Sequence, residues 1–322
     1  MAKFTDTQWQ NVYKHTRFML SFAGSLLKHI LVNFNNFRHF CATINSHGLA
    51  KTVLTRQRSQ MTHLPKEIEK LLKNEEYTID KIGMSGSTVM VFGDKVLKIQ
   101  NATAEAENEV ALMRWLNSKL PVPQVLAHEC MDGKSFLLMS KLKGKMACAQ
   151  RFLQCPQLLF RLLGEALNMW WSVDFSAYSK KSNLNEKLRV AQHAVEDNLV
   201  DLNNVEPNTF GENGFENPQA LLNWLVKNRP AEEDLVLSHG DFCLPNVFLT
   251  DDGVSGFIDL GRGGVADKYQ DVALCYRSLK SNFGGRYGGP TYNVDMDMFF
   301  KVLKIEPDWE KMKYYLLLDE LF

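Results

Sequence analysis

No uninterrupted stretch of about twenty apolar residues occurs anywhere in this 322-residue chain, so a membrane-spanning helix is not expected. The most apolar run, Phe18–Phe34, is broken by Lys28 and His29. The preceding Gln8–Arg17 is polar and no A-x-A-like site follows, so a secretory signal is not expected either. Six cysteines (Cys41, Cys130, Cys148, Cys155, Cys243 and Cys275) form no C-x-x-C pair and no zinc-like spacing, and they read as reduced thiols of a cytoplasmic protein. Internal repeats and low-complexity tracts are lacking in residues 61–322. Basic and acidic residues number 37 each, and no basic stripe of the kind that tracks a phosphate backbone is evident in residues 61–322, so a nucleic-acid partner is not expected.

The balanced total hides an asymmetry. The first sixty residues carry eight of the basic residues and one acidic residue, Asp6, so residues 61–322 hold the remaining 29 basic and 36 acidic ones, a net of −7. Residues 1–60 are therefore expected to form a basic extension outside the main fold, from an upstream start or a fusion scar, with Met61 as the natural beginning. A basic amphipathic membrane helix is the second reading of that stretch.

What is present is concentrated in one place. His239-Gly240-Asp241-Phe242-Cys243-Leu244-Pro245-Asn246 follows the apolar run Leu235–Ser238. Asn246–Thr250 then reads as a strand, Asp251-Asp252-Gly253 as a hairpin turn and Gly256–Ile258 as the returning strand ending at Asp259. An acidic residue five positions before an asparagine, with a second acidic residue at the end of the next strand, is the arrangement ATP-dependent phosphoryl transfer requires. Asp241 would meet the attacking hydroxyl, and Asn246 and Asp259 would hold magnesium, an ion satisfied by few protein oxygens plus phosphates. Protein kinases carry the same logic as H-R-D-x-x-x-x-N followed by D-F-G; here the motifs read H-G-D and D-L-G. Cys243, between Phe242 and Leu244, reads as a packing residue.

A nucleotide-holding half is expected upstream. Tyr77–Ile82, Thr88–Phe92 and Lys95–Ile99 read as strands, the first two separated by Gly83-Met84-Ser85-Gly86-Ser87 and the last two by a tight Gly93-Asp94 turn. Lys98 sits in an apolar strand. In the following helix Glu109 shares a stripe with Leu112, Met113, Leu116 and Leu120. A buried carboxylate is costly unless paired, and Lys98 is the expected partner, its ammonium aimed at the α- and β-phosphates.

With these residues in view, the chain resembles the aminoglycoside phosphotransferases over residues 61–322, most closely the group acting on the 3'-hydroxyl. The runs Ser238–Asn246, Ser255–Arg262, Ala266–Asp271, Pro307–Glu310 and Leu318–Phe322 carry the resemblance. It implies a bilobal, protein-kinase-like α+β fold. A small antiparallel-sheet lobe with one helix would span residues 61–140, and a larger, mainly helical lobe residues 141–322. It implies Asp241 as the catalytic residue, Asn246 and Asp259 as magnesium ligands, and Lys98 and Glu109 as the pair that positions ATP. Met84 and Ser85 would cover the phosphates, and backbone groups around Ser140–Leu142 would meet adenine. Arg262 and Arg277 would line the active site, while Asp319, Glu320 and Phe322 would bind the drug, in a monomer or weak homodimer. Lys141, Ser281 and Asn282 stand where acidic residues can occur in that family, which bears on the range of drugs accepted.

Charge supports the same substrate class. Aminoglycosides are polycations, and an acidic protein surface steers them. Asp201–Glu216, containing Glu206, is expected to be a loop over the pocket, and the C-terminus stacks Asp319, Glu320 and a carboxylate with no basic sequence neighbour. A kinase for choline, homoserine or a ketosamine would share Asp241, Asn246 and Asp259, and is the other function this motif set allows.

Overall fold

The computed structural model of the protein describes residues 64–322 apart from 74, 81–86 and 179; the expectations for residues 1–60, and for Met84 and Ser85, lie outside the described residues. Helix α1 (Lys66–Leu72) buries Ile68 and Leu72 and leads into an antiparallel five-stranded sheet of order β1-β2-β3-β5-β4. Its strands are β1 (Thr78–Asp80), β2 (Thr88–Val91), β3 (Lys95–Asn101), β4 (Val125–Met131) and β5 (Lys134–Ser140). Between β3 and β4 runs α2 (Ala104–Leu116). Thr103 accepts the Ala106 N–H at its start, Glu105 and Glu107 fill the first turn, and Arg114 lies in the last, which suits the helix dipole at both ends. Its buried face includes Ala106, Asn108, Glu109, Leu112, Met113 and Leu116.

The rest of the described chain is mostly helical. Apart from the short α3 (Gln150–Leu153), its helices are α4 (Pro156–Trp171), α5 (Leu184–Glu196), α6 (Pro218–Lys227), α7 (Lys268–Phe283), α8 (Asp297–Leu303) and α9 (Trp309–Asp319). The core helix is α4, whose Leu159, Phe160, Leu162, Leu163, Ala166, Leu167 and Trp170 are all fully buried. Set among these helices are two small sheets. Strands β7 (Leu235–Ser238) and β10 (Gly264–Asp267) pair antiparallel. Strands β6 (Lys145–Met146), β8 (Val247–Leu249) and β9 (Val254–Phe257) form the other sheet.

Elements fall where the sequence patterns put them, with shifts that have local causes. Asn246 and the two residues before it form a 3-10 turn rather than the start of a strand, because Pro245 cannot donate to a ladder. Strand β9 begins at Val254, earlier than Gly256. The Gly256 Cα faces the Pro121 carbonyl and the Leu142 side chain so closely that a Cβ would lie 2.7 Å and 2.8 Å from them. The expected loop Asp201–Glu216 is a series of turns with one bridge between Phe210 and Phe215.

Candidate active site

Strand β3 lies between β2 and β5, with Lys98 opposite Val89 and Leu137. That central place takes the lysine out of solvent, to 6 % exposure. Its Nζ donates to Glu109 Oε1 and Oε2 at 3.0 and 2.9 Å and to Asp259 Oδ1 at 2.8 Å. Gln100 adds a bond to Glu109 Oε2 at 3.0 Å. One ammonium thus stands between two carboxylates. Burial works against the Lys98 charge, but Glu109 and Asp259 outweigh it and raise its pKa, so it stays protonated. Burial raises the Glu109 carboxyl, with Lys98 opposing. For Asp259, which keeps contact with solvent, burial is overcome by Lys98 and the carboxyl is held below its ordinary range. Asp259 also adopts φ +63°, an uncommon conformation for a non-glycine residue, of the kind that clusters at functional sites.

The segment joining β7 to β8 is fixed from beneath by α7. Asp271, in the first turn of that helix and fully buried, accepts the His239 N–H at 2.8 Å and the Gly240 N–H at 3.0 Å. Gln270 Nε2 donates to the Gly240 carbonyl at 2.8 Å. The His239 ring packs edge-on against Trp170, and its Nε2 lies 3.0 Å from the Ile258 carbonyl. A nitrogen facing a carbonyl must carry the proton, which leaves Nδ1 to accept the Asp241 N–H at 3.3 Å. The loop therefore presents Asp241 on a frame of backbone bonds.

The Asp241 carboxylate is held at both oxygens. Asn246 Nδ2 donates to Oδ2 at 3.0 Å and to the Asp241 carbonyl at 2.9 Å, and the Cys243 thiol donates to Oδ1 at 3.1 Å. Cys243 thus does more than the packing expected of it: burial and the neighbouring Asp241 raise its pKa far above the usual thiol value, so it remains a donor. Across the hairpin, the Ile258 N–H donates to the Asn246 carbonyl at 3.0 Å, tying the asparagine to the residues that lead from β9 to Asp259. With its amide nitrogen turned to Asp241, Asn246 has Oδ1 left as a ligand atom. That oxygen and the Asp259 carboxylate are the hard donors magnesium takes, so the residues present fit that ion.

The acidic C-terminal end differs from its sequence reading. Asp319 and Glu320 have no basic neighbour in sequence, but in space each is paired. Asp319 bridges Arg262 at 3.1 Å and also Arg277, and Arg277 reaches Glu320 at 3.1 Å. The cause is the docking of α9 on α7, with Leu318 and Leu321 buried, which brings the tail against bases 42 and 57 positions away. Burial opposes the charge of both guanidiniums, yet Asp319 raises their pKa. Glu320 Oε2 accepts the Glu206 N–H at 2.7 Å, while the Glu206 side chain pairs with Arg286. Phe322 lies under Arg262 and Lys187, at 5.6 and 5.7 Å. Burial lowers Lys187 to about 8, helped by Arg262 and opposed by Asp319.

At the end of β5, the Ser140 and Lys141 N–H groups are bonded to the Gln124 and Asp94 carbonyls, and Leu142 packs on Gly256. Among the candidates, then, Lys98, Glu109 and Asp259 meet directly. Asp241 and Asn246 form a second bonded pair, and Arg262, Arg277, Asp319, Glu320 and the Glu206 backbone form a third group. Sequence reasoning gave no role to Asp271, Gln270, Asn108 or Lys187. Their partners are backbone groups or residues distant in sequence, and no spacing rule signals such contacts.

Comparison with known proteins identifies the family. Residues 78–314 match the model of the phosphotransferase enzyme family. An aminoglycoside 3'-phosphotransferase of Enterococcus faecalis is 38% identical over 269 residues, covering 80% of this chain and 97% of the relative. One from Staphylococcus aureus is 37% identical over 268 residues with the same coverage. The crystal structure of an aminoglycoside-3'-phosphotransferase of type VIII superposes with a TM-score of 0.66 at 25% identity, covering 80% of this chain and 97% of that one. The chain belongs to the phosphotransferase enzyme family and, within it, to the aminoglycoside 3'-phosphotransferases.

Proposed function

We propose that this chain transfers the γ-phosphoryl group of ATP to the 3'-hydroxyl of aminoglycosides of the kanamycin and neomycin type, and so confers resistance to them. The observation that carries the reading is the approach of two groups to one loop. Lys98, Asp259, Asn246 and Asp241 supply the phosphoryl-transfer side, and Arg262, three residues after Asp259, bonds the acidic end at Asp319. The two lobes are assigned to residues 61–140 and 141–322, with the nucleotide between them and the hinge at Ser140–Leu142.

Lys98, kept cationic by its two carboxylates, orients the triphosphate. Asn246 Oδ1 and Asp259 would hold magnesium, which when bound spreads the negative charge of the phosphates. Asp241 accepts a hydrogen bond from the drug hydroxyl, with its carboxylate already aimed by Asn246 and Cys243. The hydroxyl oxygen forms the new P–O bond as the bond to ADP breaks, and the hydroxyl proton leaves through Asp241. Such transfers depend on positioning more than on a strong base. Asp319 and Glu320 meet the drug's ammonium groups, exchanging part of their pairing with Arg262 and Arg277 for it.

ATP consumption measured in parallel with kanamycin, choline, homoserine and a generic protein tests the assignment. Turnover with kanamycin alone is expected, and turnover with choline or homoserine instead would overturn it. Tobramycin, which lacks the 3'-hydroxyl, should inhibit competitively without being phosphorylated at that position. Asp241→Ala should keep its fold and ATP binding while kcat falls by about 10²-fold or more; near-wild-type turnover in that variant would remove Asp241 from the chemistry.

A further inference from the structure

Asn108, adjacent to Glu109 on α2, is a polar side chain only 5% exposed. Its amide nitrogen donates to the Gly261 carbonyl at 2.8 Å and to the Gly263 carbonyl at 2.9 Å. Both amide protons are thereby committed, to the two carbonyls that flank Arg262. Its oxygen accepts the Tyr178 hydroxyl at 3.3 Å, which fixes the orientation of the amide, since a flipped amide would oppose oxygen to two carbonyls. Tyr178 is itself held against Trp115 of α2, with ring centroids 4.7 Å apart.

The segment bonded by Asn108 is the one that needs holding. It begins with Asp259 at φ +63° and lies flush on α2. A Cβ on Gly261 would stand 3.0 Å from the Glu105 carbonyl, and one on Gly263 would stand 2.4 Å from the Leu112 side chain. Two successive residues of α2 thus reach it by different routes. Glu109 acts through Lys98 on Asp259, and Asn108 acts directly on the backbone two and four residues later. The first route depends on an ion pair that a triphosphate would share. The second is made of neutral hydrogen bonds that no substrate competes for.

We propose that Asn108 is a positioning residue for the transfer reaction: it couples the nucleotide-side helix to the Asp259–Gly263 segment and so sets the cation ligand Asp259 and the active-site Arg262 in place. It touches neither substrate and acts through those two residues. The inference rests on the functional reading above, and kanamycin turnover by the wild-type enzyme tests that reading separately from the variants.

The test compares Asn108→Ala and Tyr178→Phe with wild type, well below the melting temperature of each. Mn2+ binding in the presence of ADP, followed by the loss of the free-ion EPR signal, reads the cation site without turnover. Asn108→Ala should weaken Mn2+ binding by roughly tenfold, the low end of the 10–100-fold typical of groups that orient metal ligands, and should lower kcat with little change in the KM for ATP. Tyr178→Phe keeps the ring and removes only the hydroxyl, so a smaller change of the same sign, about twofold to threefold, is expected. If Asn108→Ala does not fold, Tyr178→Phe alone decides. Wild-type Mn2+ affinity and kcat in the folded variants, with only a lower melting temperature, would reduce Asn108 to a structural bond and overturn the proposal.

Discussion

At the scale of single residues, Lys98 is held from two sides, a cation 6% exposed between Glu109 and Asp259. Its pairing with Glu109 is legible in sequence, because a carboxylate on a buried helical stripe requires a partner and the preceding strand offers one. Its contact with Asp259, 161 positions away, is not, since no local pattern encodes such a distance. Replacing Lys98 with Met leaves Glu109 buried without a counter-charge, and breaking a buried pair from one side costs about 3–5 kcal/mol. The pH dependence follows from the same charges. Without Lys98 the folded Glu109 carboxyl rises further above its ordinary value, so the folded variant binds a proton more readily than its unfolded chain. Its penalty is full above the raised folded value and shrinks as pH falls from there towards the unfolded carboxyl value. Urea denaturation of wild type and Lys98→Met at pH 7, 6 and 5 should show the stability gap narrowing with acidification. A gap independent of pH would mean that Glu109 finds another partner.

At the scale of elements, the segment between β7 and β8 behaves as one rigid piece because its backbone is bonded to side chains of α7. The H-G-D spelling has a geometric reason. Gly240 has φ +85°, and a Cβ there would lie 2.2 Å from the Arg262 carbonyl oxygen and 2.4 Å from its carbon, a clash with backbone that no side-chain rotation relieves. The left-handed conformation alone costs a non-glycine residue roughly 1–2 kcal/mol. Gly240→Ala should therefore destabilise by more than this, and kcat should fall because Asp241 is the next residue and must move with the loop. A variant with unchanged melting temperature and turnover would show that the Arg262 segment yields freely. Motif spacing made the hairpin of β8 and β9 legible, with Asn246 and Asp259 at its open ends. What holds the loop leading into that hairpin was hidden, because Asp271 and Gln270 bond the His239 and Gly240 backbone and nothing in their own sequence context announces it.

At the scale of the whole molecule, residues 61–322 carry a net charge of −7, yet the acids of the C-terminal end, Asp319 and Glu320, are paired internally. Arg262 and Arg277 neutralise Asp319 and Glu320 at contact distance, so local attraction for a polycation is weaker than the C-terminal sequence alone implies, while the longer-range field of the surface remains. These two contributions separate by their response to salt. Exposed charges are screened over a Debye length of about 8–10 Å near physiological ionic strength, whereas the part-buried Arg–Asp–Arg cluster is screened much less. The KM for kanamycin should therefore rise with ionic strength more steeply than the KM for ATP, and the slope should persist in Asp319→Asn. That variant should still raise the kanamycin KM by about tenfold or more, the scale of one charge-assisted hydrogen bond worth roughly 1.5–3 kcal/mol, with the ATP KM nearly constant. Leu321 of the same tail is fully buried, so deleting residues 319–322 would confound binding with loss of core. The single substitution isolates the charge. Should Asp319→Asn leave the kanamycin KM unchanged while lowering the melting temperature, Asp319 would serve only to anchor Arg262 and Arg277, and drug recognition would rest on other acids of the surface.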